Sequence, residues 1–157
     1  MQANTNSKSE AEVLKAFGAS RSVEFIALLG LCSAYIQGPL VKIFDFNGAM
    51  AEMDHFGLRP TMFFAVAVIV FELAMSALIL AGVFRWAAAL ALAGFTLFAT
   101  FLAVRFWELP QGMERSMAMN TFFEHLGLAG AFVLVALYDL RGKAAEDKRR
   151  VHNTHST

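Results

Sequence analysis

Cysteine is all but missing from this chain. Cys32 stands alone, which excludes an internal disulfide and any CxxC redox or zinc motif. Charge is also scarce: Asp, Glu, Lys and Arg make up 17% of the 157 residues, against about 25% in soluble globular chains. Neither sign dominates. The formal net charge is zero, so there is no basic footprint for a nucleic-acid partner. Proline occurs three times, and the short alternating segments of a transmembrane barrel do not occur. No Ser-His-Asp order, phosphate loop or HExxH pattern is present, and His125 is the only histidine close to an apolar run. An intrinsic haem held by paired histidines is therefore not expected, nor is a flavin or metal site. Met50, Met53, Met113, Met117 and Met119 share one side with His55 and His125, but their spacing does not define a copper site.

What is abundant is apolar sequence: 57% of the residues are hydrophobic, in four long runs. The expected fold class is an all-α membrane protein, a four-transmembrane-helix bundle with a short amphipathic interfacial helix between spans 1 and 2. Residues 1–21 form a polar cytoplasmic tail, 22–140 the membrane domain and 141–157 a charged cytoplasmic tail (RGKAAEDKRR). The spans fall at about 22–41, 61–82, 86–105 and 120–140, each long enough for the ~30 Å hydrocarbon core. The first run, Val23 to Val41, is too long for a signal peptide and no A-x-A site follows it, so it reads as an uncleaved span. Between spans 1 and 2, Asn47 is the expected cap of a helix that places Phe46, Met50, Met53 and Phe56 at helical spacing, and Gly57 is its stop. Pro60 opens the second span and Gly82 closes it; residues 106–119 read as an outer loop. With the termini and the 82–86 turn on one side, that side holds nine Lys and Arg and the other holds Lys42, Arg59, Arg105 and Arg115. The positive-inside rule then puts both termini in the cytoplasm and predicts a multi-pass protein of a bacterial inner membrane.

The second run, TMFFAVAVIVFELAMSALILAGVF, is apolar except for Glu72 near its middle and Thr61 and Ser76. A charge at that depth costs on the order of 2.5–3.5 kcal/mol, so Glu72 faces the bundle interior, carries a proton or meets a donor. Two readings are open: a structural carboxyl bonded to Ser, Thr or Gln of a neighbour, or a group that handles a ligand or a proton. The topology sends Gln37, Lys42 and Asp45, then Arg105 with Glu108, then Asn120, Glu124 and His125 to the outer half of the bundle, above Glu72. The expected site is a polar pocket there. Glu72, Glu124 and His125 would be its proton-handling groups, and Gln37, Lys42, Asp45, Arg105 and Asn120 would contact the ligand. Blander roles compete, among them an ion pair of Lys42 with Asp45 and a lipid-phosphate anchor for Arg105. Gly30, Ala34 and Gln37 align on span 1, as do Asn120, Glu124, Gly127 and Ala131 on span 4; these small-residue stripes are expected to face the bundle centre, with Thr96 and Thr100 doing the same on span 3.

The succession GPLVKIFDF (38–46), the stretch ending FGLRP (56–60) and FELAMSALILAGVFRWAAAL (71–90) resembles the DoxX family of small four-helix membrane proteins. In that family's pattern, a Gly-x-x-x-Lys closes the first span, here Gly38 and Lys42. A Gly-x-Pro-like element precedes the second span, here Gly57 with Pro60, and the second span carries a central Glu, here Glu72. Arg105 stands where members often carry a histidine. The resemblance covers roughly residues 22–140. It implies association with quinone-linked oxidation of sulfur compounds, or with resistance to quinones, thiols or oxidative stress, beside a partner oxidoreductase. The expected function is thus a redox-accessory subunit binding a quinone-like lipophilic molecule, at most an accessory to enzymatic activity. The alternatives are a non-catalytic scaffold or assembly subunit, and a small exporter of toxic lipophiles, which would require a homo-oligomer.

Overall fold

A computed structural model describes residues 20–154, all helix and connecting turns with no strand among the described residues. Most of the polar N-terminal tail lies outside them. The helices are α1 (Arg21–Phe44), α2 (Phe46–His55), α3 (Thr61–Ala81), α4 (Arg85–Ala103) and α5 (Met113–Thr154), with a 3₁₀ turn at Phe106–Glu108 before α5. Among these, α1, α3, α4 and α5 are long and apolar enough to cross a membrane. α2, with ten residues, is about 15 Å long and too short to do so.

The helix ends follow local chemistry. α1 runs through Pro39 to Phe44, and the chain turns at Asp45. The carboxylate of Asp45, not Asn47, caps α2: its Oδ1 accepts from the Gly48 N–H at 2.9 Å. An aspartate directly before the helix satisfies a free first-turn donor that Asn47, already inside the helix, is placed too late to reach. Gly57, at φ +71, ends α2, as its left-handed backbone requires. Pro60 precedes α3, and Gly82, at φ +74, closes it, its N–H bonding Ile79 O. A Cβ on Gly82 would also meet Arg85 Nη2 at 3.3 Å. Gly82→Ala is therefore expected to lower stability by roughly 1–2 kcal/mol, the cost of a left-handed L-residue. Gly94→Ala, which meets open space inside α4, is the contrasting case, expected to hold stability or raise it by up to about 1 kcal/mol. Thermal unfolding in detergent reads the difference.

Two stretches are more helical than their charge suggested. α5 begins at Met113, inside the expected outer loop, and continues through the charged tail to Thr154. Past Gly112 no proline interrupts it, Glu114 sits in its first turn, and Lys143 pairs with Asp139 one turn earlier at 2.8 Å.

The main core gathers Leu28, Cys32 and Tyr35 of α1, Ile79 of α3, Ala88, Ala89, Leu92 and Ala93 of α4, and Ala129, Phe132 and Ala136 of α5. α4 packs most extensively on α5, its alanines letting the backbones approach, and α1 packs chiefly on α3. α1 and α5 meet through Tyr35, whose ring stands edge-on to Phe132 with centroids 5.3 Å apart. A smaller cluster of Ala49, Met53 and Ala65 seats α2 on α3, with Phe46 and Met50 packed against it. Two expected interior stripes do not point inward. Gly30, Ala34 and Gln37 are exposed, as are Asn120, Glu124 and Gly127, while α1 buries Leu28, Cys32, Tyr35 and Pro39 and α5 buries Ala129, Phe132 and Ala136. Small residues are buried, but on other stripes: Cys32 of α1 and Ala129 and Ala136 of α5 lie where the backbones approach, with Tyr35 and Phe132 beside them. Thr96 and Thr100 do lie buried on α4.

The end of the bundle that carries α2 is tied by aromatic rings, Phe101, Phe106 and Trp107 each meeting Phe122 of α5 edge-to-face. At the opposite end Arg85 bonds Glu24 of α1 and donates to Ile79 O at 3.0 Å, and the Trp86 N–H reaches Asp139 at 3.3 Å.

Candidate functional site

Glu72 lies mid-way along α3, half-buried, its carboxyl turned toward α1. Gly38 of α1 faces it: a Cβ there would stand 3.9 Å from Glu72 Oε2, in ordinary van der Waals contact. One turn beyond Gly38, on the same face of α1, is Lys42. The Gly-x-x-x-Lys spacing thus brings a glycine and an amine to one carboxyl.

Glu72 and Lys42 border a partly open cavity of about 160 Å³ between α1, α2, α3 and α4. Its walls are apolar and partly aromatic, with Met53, Phe56 and Leu58 on the α2 side, Val68 from α3, and Phe95, Phe98, Ala99, Leu102 and Ala103 from α4. Glu52 of α2 completes the polar part. Lys42 Nζ donates to Glu52 Oε2 in an ion pair, so the partner of Lys42 is Glu52 and not Asp45, which is occupied in capping α2. Among the described residues no hydrogen bond reaches the Glu72 carboxyl. Lys42 has spent one of its three N–H donors on Glu52 and keeps two. An unbonded carboxyl and a cation with spare donors therefore share one aromatic-walled space.

Glu72 also borders a second cavity, of about 180 Å³, on its other side, with Tyr35, Thr96 and His125. A wider cleft of about 710 Å³ lies at the α2 end, among His55, Phe56, Arg105, Glu108, Glu114 and Thr121.

The expected site residues separate into four groups. Glu72 and Lys42 meet in the first cavity; His125 is half-buried in the second, its Nδ1 2.9 Å from Thr100 Oγ1. Arg105 stands exposed in the wide cleft, 3.2 Å from Glu108. Gln37, Asp45, Asn120 and Glu124 are exposed and border none of the three spaces, so the structure does not bring them to Glu72. For Asn120 and Glu124 the reason is helix rotation: α5 turns Ala129 and Phe132 inward, which leaves the stripe through 120, 124 and 127 facing out. Glu52 and Tyr35 were missed. The signal for Glu52 was its place beside Met53 and four residues before Phe56, on the edge of the buried face of α2.

Four apolar helices and a short helix that does not span define a small multi-pass membrane protein, with a carboxyl and a lysine meeting at one cavity of the bundle. The chain belongs to the DoxX family, whose model matches residues 25–105, from α1 to the end of α4. No curated protein and no solved structure matches it significantly.

Proposed function

We propose that this DoxX protein holds the ring of a quinone-like lipophilic molecule in the cavity between Glu72 and Lys42. The observation that carries the reading is the unbonded Glu72 carboxyl facing an aromatic-walled space that also holds the spare donors of Lys42. The size fits a single ring, since a cavity of about 150 Å³ in a protein interior accepts benzene. Phe56, Phe95 and Phe98 offer faces and edges for an aromatic ring. Phe98, which is 64% exposed on the outer surface of α4, is where a lipid tail would leave toward the bilayer. Lys42 donates to one ring oxygen, and Glu72 gives a proton to the other or takes one from it. Carboxyl, amine and phenyl groups carry protons but not electron pairs, so a partner oxidoreductase supplies or receives the electrons. The excess of Lys and Arg at the ends of α1 and α5 supports a reading with both termini in the cytoplasm, in a bacterial plasma membrane, and α2 on the outer face.

Val68 borders the ring cavity and neither of the other two spaces. Val68→Phe is expected to fill it, abolishing the thermal stabilisation that a short-chain benzoquinone or naphthoquinone gives the purified protein. Equal stabilisation of wild type and Val68→Phe would rule out this cavity as the ring site.

A further inference from the structure

Lys42 and His125 approach Glu72 from opposite sides. The cavity behind the carboxyl is walled by Ala34 and Tyr35 of α1, Thr96 of α4 and His125 of α5. Its hydroxyl protons are assigned by elimination, because each hydroxyl has one to give. Thr96 Oγ1 donates to Leu92 O at 2.6 Å, so the Tyr35 hydroxyl donates to Thr96 Oγ1. Thr100 Oγ1 donates to Thr96 O at 2.6 Å, so at the contact with His125 it accepts, and the proton lies on Nδ1. His125 Nε2 is left without a partner among the described residues. At about 180 Å³, with Tyr35, Glu72, Thr96 and His125 as polar neighbours, the space has the room and the partners that ordered water needs. Thr121, one turn before His125 on α5, borders the wide cleft at the α2 end, where Glu114, Arg105 and Glu108 are exposed.

We propose that this second cavity holds water that passes protons between His125 and Glu72, making His125 the port through which Glu72 exchanges protons with the aqueous phase. A proton leaves Nε2 of the imidazolium for the nearest water, and the last water gives one to the Glu72 carboxylate. The water chain is restored, one positive charge has moved inward, and no electron moves. The ionisable groups around Glu72 are Lys42 and Tyr35 from α1, Glu52 from α2 and His125 from α5. α4 contributes Thr96 but no ionisable side chain to these walls. Lys42 is engaged with Glu52, and the Tyr35 proton is held by Thr96, which leaves His125 to accept and release. On the other side of Glu72 the polar groups of the first cavity, Lys42 and Glu52, are paired with each other and the remaining walls are apolar, so protons reach the carboxyl from behind; passing them on to a bound ring is the use made of them. Only this use of the proton rests on the ring-binding reading.

The test uses protein carrying no quinone. The carboxylic C=O stretch that disappears in Glu72→Gln is followed by infrared spectroscopy after transfer into D₂O. Positioned proton transfer is worth about 10²–10⁴-fold, so His125→Gln, which keeps an N–H for Thr100, is expected to slow the isotope shift at least on the order of 100-fold. His125→Phe should do the same. Unchanged exchange in a folded His125→Gln protein overturns the proposal. So does the absence, at every pH the protein tolerates, of any carboxylic band lost in Glu72→Gln. Ring binding is measured separately on the same samples, so a failure of the quinone reading and a failure of the proton port are told apart.

Discussion

Glu72→Gln is expected to weaken binding of a short-chain quinone by roughly 10–100-fold, the worth of a charge-assisted hydrogen bond of about 1.5–3 kcal/mol. The unfolding temperature should stay at or above that of wild type. Both halves follow from the same observation: no hydrogen bond from the described residues reaches the carboxyl, so an amide of the same shape breaks nothing within the bundle. The amide is also cheaper to bury than an ionisable group at this depth. A scaffold role, in which Glu72 knits neighbouring helices, requires the opposite pair of results, namely lost stability and unchanged ligand binding. Titration calorimetry and thermal unfolding on matched samples separate the two.

The largest stability effect is expected at Phe132. Its ring is fully buried, it stands edge-on to Tyr35, and it joins α5 to α1 across the core. Truncating such a ring costs about 3–5 kcal/mol in well-packed interiors, a large share of the ~5–15 kcal/mol that holds a typical domain together. Phe132→Ala should therefore unfold at a much lower detergent-denaturant concentration than wild type. It should also loosen Tyr35, whose hydroxyl bonds Thr96 behind Glu72. Phe123→Ala, a ring of the same size that is 58% exposed on α5, should have little effect by the same measurement. Similar losses at both positions would mean that the outer surface of α5 is buried against something in the detergent-solubilised protein.

Hydropathy carried the architecture because backbone groups in hydrocarbon must bond within their own helix, so length and apolarity settle where a span is. The short helix before Pro60 was legible for a different reason. Phe46, Met50 and Met53 repeat at helical spacing, and Gly57 can close a helix where most residues cannot. Lys42 and Glu72 were both readable as members of one polar pocket, since each is a costly group in an apolar setting, but not as its closest pair. Rotation about the helix axis was not readable. Gly30, Ala34 and Gln37 on α1, or Asn120, Glu124 and Gly127 on α5, look like an interior stripe only if small and polar residues are assumed to seek the centre. The bundle instead buried a different stripe of each helix, Leu28, Cys32 and Tyr35 on α1 and Ala129, Phe132 and Ala136 on α5, and Glu124 went outward with its own stripe. Glu52 was hidden because on a short surface helix a glutamate looks solvated. Its role appears only when α2 folds back over Lys42.

The central claim is that the space between Glu72 and Lys42 is occupied by a quinone-like ring in the membrane. The most direct measurement is mass spectrometry of organic extracts from protein purified under mild conditions, wild type beside Val68→Phe. A quinone present in stoichiometric amount in wild type and lost in Val68→Phe is the expected result. Phospholipid alone in both, or the same quinone content in both, would contradict it.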